Sequence, residues 1–405
     1  MGDLQLGALE SLVLLLGVAS VAAILARRVA VPYSVALVVI GVAAAVVAPQ
    51  LEPVVTPELV LGWLLPGLIF EAALRMDLEA VRRAWPGIVL LAVPGVVISA
   101  AIFALILHLG TGLALDLAFV VGAALAATDP SAVIATFKSV RVPRRLSTLI
   151  ESESLFNDGM AIVVFVMAIS ALHHGFDPGA TVVSFIAIVV VSSLIGLAAG
   201  FIGSRLIAAV DDRFIELAVS VTVAYGAYLL ADVLHESGVL ATLAAGAVIG
   251  TYGRRVGMSE RTRDALDTVW GFVAFILTTF AFLLVGLAIS VGDIVDAARW
   301  IAVAVLGMWL GRALVTYVLL GSASRLRAIR GRHRPLPLAW LHVMFWAGLR
   351  GAVAVALALS LPSDVPQRDL LQTIIFGVVL VSLVVQGGTV GWVVERALGS
   401  SDEER

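Results

Sequence analysis

The chain has 405 residues, of which 61% are apolar and 14% charged, with a formal net charge of −3. A water-soluble globule cannot hide that much apolar surface, and continuous apolar runs of about 20 residues mark helical membrane spans rather than the alternating strands of a β-barrel. Cysteine is absent, which excludes disulfides and thiol chemistry; neither a Ser-His arrangement nor a His-Glu-x-x-His run supports an intramembrane enzyme.

In chain order, hydropathy predicts thirteen spans, near residues 5–26, 30–49, 57–75, 85–109, 113–138, 146–173, 178–206, 214–232, 237–252, 265–291, 297–320, 336–361 and 368–395. The first run lacks a basic leading region and reads as a retained span rather than a signal peptide. Charge placement supports the count. Of the 26 Arg and Lys residues, 22 fall after odd-numbered spans or in the C-terminal tail, and 2 fall after even-numbered spans. The remaining two, Arg312 and Arg350, lie inside spans. Positive charge marks the cytoplasmic side, so the C-terminus is predicted inside and the N-terminus outside. The arginine-rich run 325–334 reads as a cytoplasmic loop near anionic lipid. Thirteen spans divide as six, one and six, which predicts two inverted six-span repeats joined by span seven. Span five then corresponds to span twelve, and span six to span thirteen.

Polar residues interrupt these spans at a few places. Glu10 sits near the outer end of span one. Glu71 sits near the cytoplasmic end of span three, where it either lines an access funnel or pairs with Arg75 four residues on. Span five carries Thr128-Asp129-Pro130-Ser131 at its middle, and span twelve carries Gly348-Leu349-Arg350-Gly351. Proline removes an N–H and clashes with the preceding turn, so a break is expected at Pro130. The glycines and buried charge weaken span twelve near 348–351. Two interrupted spans at matching places in two halves point to a transporter's binding site.

Span six opens with Glu151-Ser152-Glu153-Ser154-Leu155-Phe156-Asn157-Asp158. A carboxylate at the centre of a span costs on the order of 3 kcal/mol on insertion scales, so it needs a partner or a wet cavity. Ser154 lies about 40° from Asp158 around a helix, so these two share a face. Glu153 is about 140° away and shares its side with Asn157. The Ser154–Asp158 face reads as an oxygen site for a hard cation, completed by Asp129 and by carbonyls freed at the break. The other face reads as structural, with Glu153 paired to Arg312 or, second, to Arg350, and with Asn157 bracing a broken helix. Asp129 capping the break and Ser154 bonding back to its own helix are equally open at this point. A carboxylate that takes either a proton or a cation, never both, couples the two ions by competition.

Phe70-Glu71-Ala-Ala-Leu-Arg-Met-Asp77, Ala127-Thr128-Asp129-Pro130, Glu153-Ser154-Leu155-Phe156-Asn157-Asp158-Gly159 and Gly348-Leu349-Arg350-Gly351-Ala352 together resemble the NhaP-type branch of monovalent cation/proton antiporters, shared with eukaryotic NHE exchangers. The resemblance covers nearly the whole chain. It implies a homodimer of all-α protomers. The dimerisation domain would hold spans one to three (1–80) and eight to ten (211–292). The mobile core would hold spans four to six (81–175) and eleven to thirteen with a short cytoplasmic tail (293–405). Span seven (176–210) would link them. It implies Asp158 as the ion and proton carrier, with Asp129, Thr128 and Ser154 around it and Glu153–Arg312 as a structural pair. The Asn-Asp order implies electroneutral exchange of one proton for one monovalent cation. The function expected is a Na+/H+ antiporter in the cell membrane of a prokaryote, with membrane lipids as surroundings, no cofactor and no nucleic acid. K+/H+ exchange through the same site is the alternative, and a cation channel the next.

Overall fold

The computed structural model describes residues 17, 20, 21, 24, 33–47, 60–130, 133, 134, 137, 142–210, 212–287, 291–329 and 335–399. Glu10, most of span one, Ser131 and the end of the arginine-rich run after span eleven lie outside the described residues. Among the described residues every regular element is a helix. Seven helices are long and apolar enough to cross a membrane by length and composition: Leu78–Thr111, Arg144–His173, Pro178–Ala208, Arg213–Val233, Glu260–Leu284, Ala298–Ile329 and Arg368–Leu398. They are spans four, six, seven, eight, ten, eleven and thirteen. Spans two and three are the shorter helices Tyr33–Val47 and Leu65–Leu74, the latter preceded by the π-helical turn Val60–Leu64. Span nine runs from Gly238 through the π-helical turn Ile249–Gly253 to Val256.

Spans five and twelve are interrupted. Span five forms Leu115–Ala124 and then unwinds through Pro130. Span twelve forms Leu338–Trp346, unwinds, and resumes as Ala352–Leu359. The break in span five begins at Leu125, ahead of the expected Pro130. Proline instead stands where the second half starts, its carbonyl accepting the N–H of Ile134 at 2.8 Å. That is a position where its missing N–H costs nothing.

Several helices also overrun their hydropathic limits on the arginine-rich side. The stretch 78–84, expected as loop, is the first two turns of span four. The Asp77 carboxylate caps it by accepting the N–H groups of Glu79 and Ala80 at 3.1 Å each. Span eleven likewise continues to Ile329 through Arg325 and Arg327. Hydropathy marks the apolar part of a helix, whereas arginine is itself a good helix former and lets the helix continue into water.

Spans four and eleven hold the same place in the two six-span halves, and each carries a π-helical turn, Leu91–Gly95 and Leu314–Leu320. These turns pack against one another. One apolar core joins spans four, five, six, eleven, twelve and thirteen through residues such as Leu107, Val121, Ala161, Ala304, Val343 and Val378. A second joins spans three, eight, nine and ten through Phe70, Val223, Ala245 and Trp270. A third lies between them, with Leu155 of span six and Ala356 of span twelve against Val239 and Leu277. Span seven touches the rest mainly along one stripe, Ser192, Gly196, Gly200 and Gly203. A Cβ on Gly200 would lie 2.8 Å from the Ala245 carbonyl oxygen, so a larger residue would push span nine away.

Candidate ion-binding site

The two unwound segments cross in the middle of the first core. The Asp129 N–H donates to the Leu349 carbonyl at 2.8 Å, one strand-like bond between two broken helices. Each break leaves carbonyls without helical partners, and a buried carbonyl left unpaired is costly. Arginines take them. The fully buried Arg350 guanidinium donates to the carbonyls of Ala126 and Ala127 at 3.1 and 2.9 Å. Arg312 donates to the carbonyl of Met344 at 2.7 Å. Both cations thus sit at the negative end of a half-helix. Arg312 also grips Glu153 with both guanidinium nitrogens, Nη2 to Oε2 at 3.1 Å and Nη1 to Oε1 closer still. The Arg350 backbone N–H donates to Ser382 Oγ at 2.9 Å, and that hydroxyl donates to Gln386 Oε1 at 3.0 Å.

Span six supplies the remaining side chains, and Thr128 is their meeting point. Its N–H is shared between Asn157 Oδ1 at 3.3 Å and Asp158 Oδ1 at 3.2 Å. The Asn157 amide donates to Thr128 Oγ1 at 2.8 Å. The Ser154 hydroxyl donates to the Thr128 carbonyl rather than back to its own helix. Asn157 therefore does not face away with Glu153, as ideal helical spacing suggested. It lies between Glu153 and Asp158 around the helix, about 40° from the first and about 100° from the second, and the unwound segment lies close enough for both Asn157 and Asp158 to reach it. The Asp129 side chain lies against Gly351, where any Cβ would collide with its carboxylate.

A cavity of about 660 Å3 leads to this crossing from the arginine-rich side, between the first core and spans three and ten. Thr128, Asp129, Ser154 and Asp158 line its deep end. Thr128 and Ser154 are buried, while Asp129 and Asp158 are partly open to the cavity. Glu71 lines its wall and pairs with Arg75 at 2.8 Å. Arg75 reaches on to the Asp267 carbonyl at 2.9 Å, tying span three to span ten. Glu151 stands nearer the mouth and accepts from Ser147 Oγ at 2.5 Å. At the mouth Arg144 binds Asp77 at 2.7 Å. The N–H of Ala80, with help from Arg144 and Glu79, holds the Asp77 carboxyl below the usual carboxylate range.

Three elements of this site carry no clear mark in the residues: Gly351 as the seat of Asp129, Ser382, and Gln386. The Ser-x-x-x-Gln spacing on span thirteen puts two polar side chains on one face of an apolar helix, which is a signal that could have drawn attention.

Crossed, broken helices with carboxylates at the end of a water-accessible cavity define a membrane transporter of the two-repeat kind. The chain matches the family model described as sodium/hydrogen exchanger, transmembrane, over residues 15–396, and it belongs to that family. It is 37% identical over 394 residues to the low-affinity Na+/H+ antiporter NhaS1 of Synechocystis sp. PCC 6803, covering 96% of this chain and 74% of the relative. It is 35% identical over 358 residues to the Na+/H+ antiporter NhaP of Pseudomonas aeruginosa, covering 86% and 83%. Its fold is that of the sodium proton antiporter MjNhaP1 of Methanocaldococcus jannaschii at pH 8, with a TM-score of 0.80 and 20% identity over 98% of this chain and 99% of that one.

Proposed function

We propose that this protein is a secondary-active Na+/H+ antiporter that exchanges one cation for one proton at Asp158 by alternating access. The observation that carries this reading is the position of Asp158. Its carboxylate ends a water-accessible cavity, beside Asp129 and against the opened backbone of span five. Carboxylate, hydroxyl and carbonyl oxygens are the donors a hard monovalent cation takes. Ser154, Thr128 and Asp129 stand next to Asp158 for that purpose.

Charge at the crossing supports the stoichiometry. Glu153, Asp129 and Asp158 stand against Arg312 and Arg350, three carboxylates to two guanidinium groups. One proton or one sodium ion brings the assembly to neutrality. An uncompensated carboxylate carried past an apolar barrier costs several kcal/mol. The unloaded site is therefore trapped on one side, while either loaded form can cross. Exchange without leak and without net current follows.

Positive-inside charge makes the arginine-rich side cytoplasmic, so the cavity describes an inward-open state. The broken-span bundle, spans four to six and eleven to thirteen, moves against spans one to three and eight to ten, with span seven as linker. Two protomers pair through the latter group in a prokaryotic cell membrane.

The test is proteoliposomes carrying an internal pH dye, with the potential clamped, challenged in turn with Na+, K+ and Li+. Wild type responds to Na+, and the Asp158→Asn variant, folded to the same melting temperature, gives no cation-dependent proton movement. Full exchange in that variant would remove Asp158 from the site. A response to K+ alone would reassign the cargo.

A further inference from the structure

A second, smaller recess lies apart from the ion cavity, on the same arginine-rich side. It forms where the start of span four, the start of span six and the end of span eleven meet. Its base is apolar. Leu149 and Leu320 are both buried there, and a Cβ on Gly87 would lie 3.6 Å from the one and 3.7 Å from the other, so span four approaches both closely. Its rim carries Arg83, Arg145 and Arg327, one from each helix. Arg83 pairs with Glu79 at 3.2 Å on the open surface. Neither Arg145 nor Arg327 makes a salt bridge to a carboxylate among the described residues. Three guanidinium groups therefore converge on one recess with a single carboxylate between them.

The recess sits at the level where apolar helices give way to arginine. Trp85, on the same turn as Arg83, is exposed, and tryptophan favours the head-group zone of a bilayer. At about 50 Å3 the recess admits one small anionic group and not a peptide segment. Guanidinium groups bind phosphate oxygens in pairs and shed water more readily than ammonium groups do. An apolar base beneath a basic rim matches a molecule with a phosphate above and hydrocarbon below.

We propose that Arg83, Arg145 and Arg327 hold the phosphodiester head group of an anionic phospholipid, whose glycerol and upper acyl carbons lie along Leu90 and Leu336, both partly exposed at the recess. The site needs only membrane insertion and stands whether or not the chain exchanges sodium. Its lining comes from spans four, six and eleven and the start of span twelve, so the lipid travels with the broken-span bundle.

The experiment is retention of phosphatidylglycerol against phosphatidylcholine by the detergent-purified protein, read by native mass spectrometry. Wild type retains phosphatidylglycerol preferentially. Each arginine removed weakens retention about 5-fold, so Arg145→Gln with Arg327→Gln loses about 25-fold. A control of equal charge change on the same side, Arg205→Gln with Arg255→Gln, stays within about 2-fold. The single Arg327→Gln variant, expected to lose about 5-fold, carries the test if the double variant does not fold. Equal loss in the control, undiminished retention in the double variant, or displacement of the lipid by inorganic phosphate alone would each overturn the assignment.

Discussion

Spans five and twelve break at matching places in the two halves and cross one another, yet they are held differently. In each, an arginine takes the carbonyls at the end of the first half-helix, Arg350 for span five and Arg312 for span twelve. Arg312 is neutralised by Glu153 in a buried, two-pronged pair. Arg350 makes no salt bridge among the described residues, and its charge is answered across the site by Asp158. The backbone is built by symmetry, and the charges are not. The Glu153–Arg312 side is closed and serves as frame. The Arg350 side carries one negative charge in excess, which on the proposed function is the place of one mobile cation. On the proposed function, two repeats of one fold would supply a scaffold and a site from equivalent positions.

Substitutions that remove this asymmetry rank by how deeply they cut. Arg350→Ala strips a buried guanidinium from two carbonyls and should cost about 4 kcal/mol, read as a large drop in melting temperature together with lost exchange. Glu153→Gln leaves Arg312 buried without its counter-charge, at about 3 kcal/mol. Replacing both partners by leucine should recover only part of that stability, because the Met344 carbonyl then loses the Arg312 donor. Gly351→Ala drives a methyl group into the Asp129 carboxylate and should cost about 2 kcal/mol, with exchange falling more than stability does.

The smallest effect lies outside the crossing. Asp77→Ala removes the cap of span four and its link to Arg144, at about 1 kcal/mol. The folded-state carboxyl of Asp77 lies below its unfolded range. Its contribution is therefore complete above the ordinary carboxylate range and disappears as pH falls through the folded value. The melting-temperature gap between wild type and variant should be flat near neutral pH and close in acid.

Much of this architecture is legible in the residues, for physical reasons. Apolar runs and the alternation of arginine report directly on what a bilayer admits, so span order and the two interrupted helices can be read without coordinates. The residues favour Arg312 over Arg350 as partner of Glu153 by only a small margin. Only the crossing separates them, because it turns Arg350 toward the carbonyls of span five. The face that Asn157 presents differs from the helical-wheel expectation for a related cause. An ideal helical wheel divides space into faces, but an unwound segment such as Thr128 follows the helix closely and is touched from two of them. The start of the break at Leu125 carries no local signal, because Leu125-Ala126-Ala127 has strong helix formers. Arg350 and the crossing override that local preference.

The most direct test is proton release on sodium binding. Purified protein in a weakly buffered dye solution, titrated with Na+ near neutral pH, should release one proton per protomer as sodium saturates. The Asp158→Asn variant should release none. Sodium binding without proton release in wild type, or unchanged release in the variant, would contradict competition at Asp158.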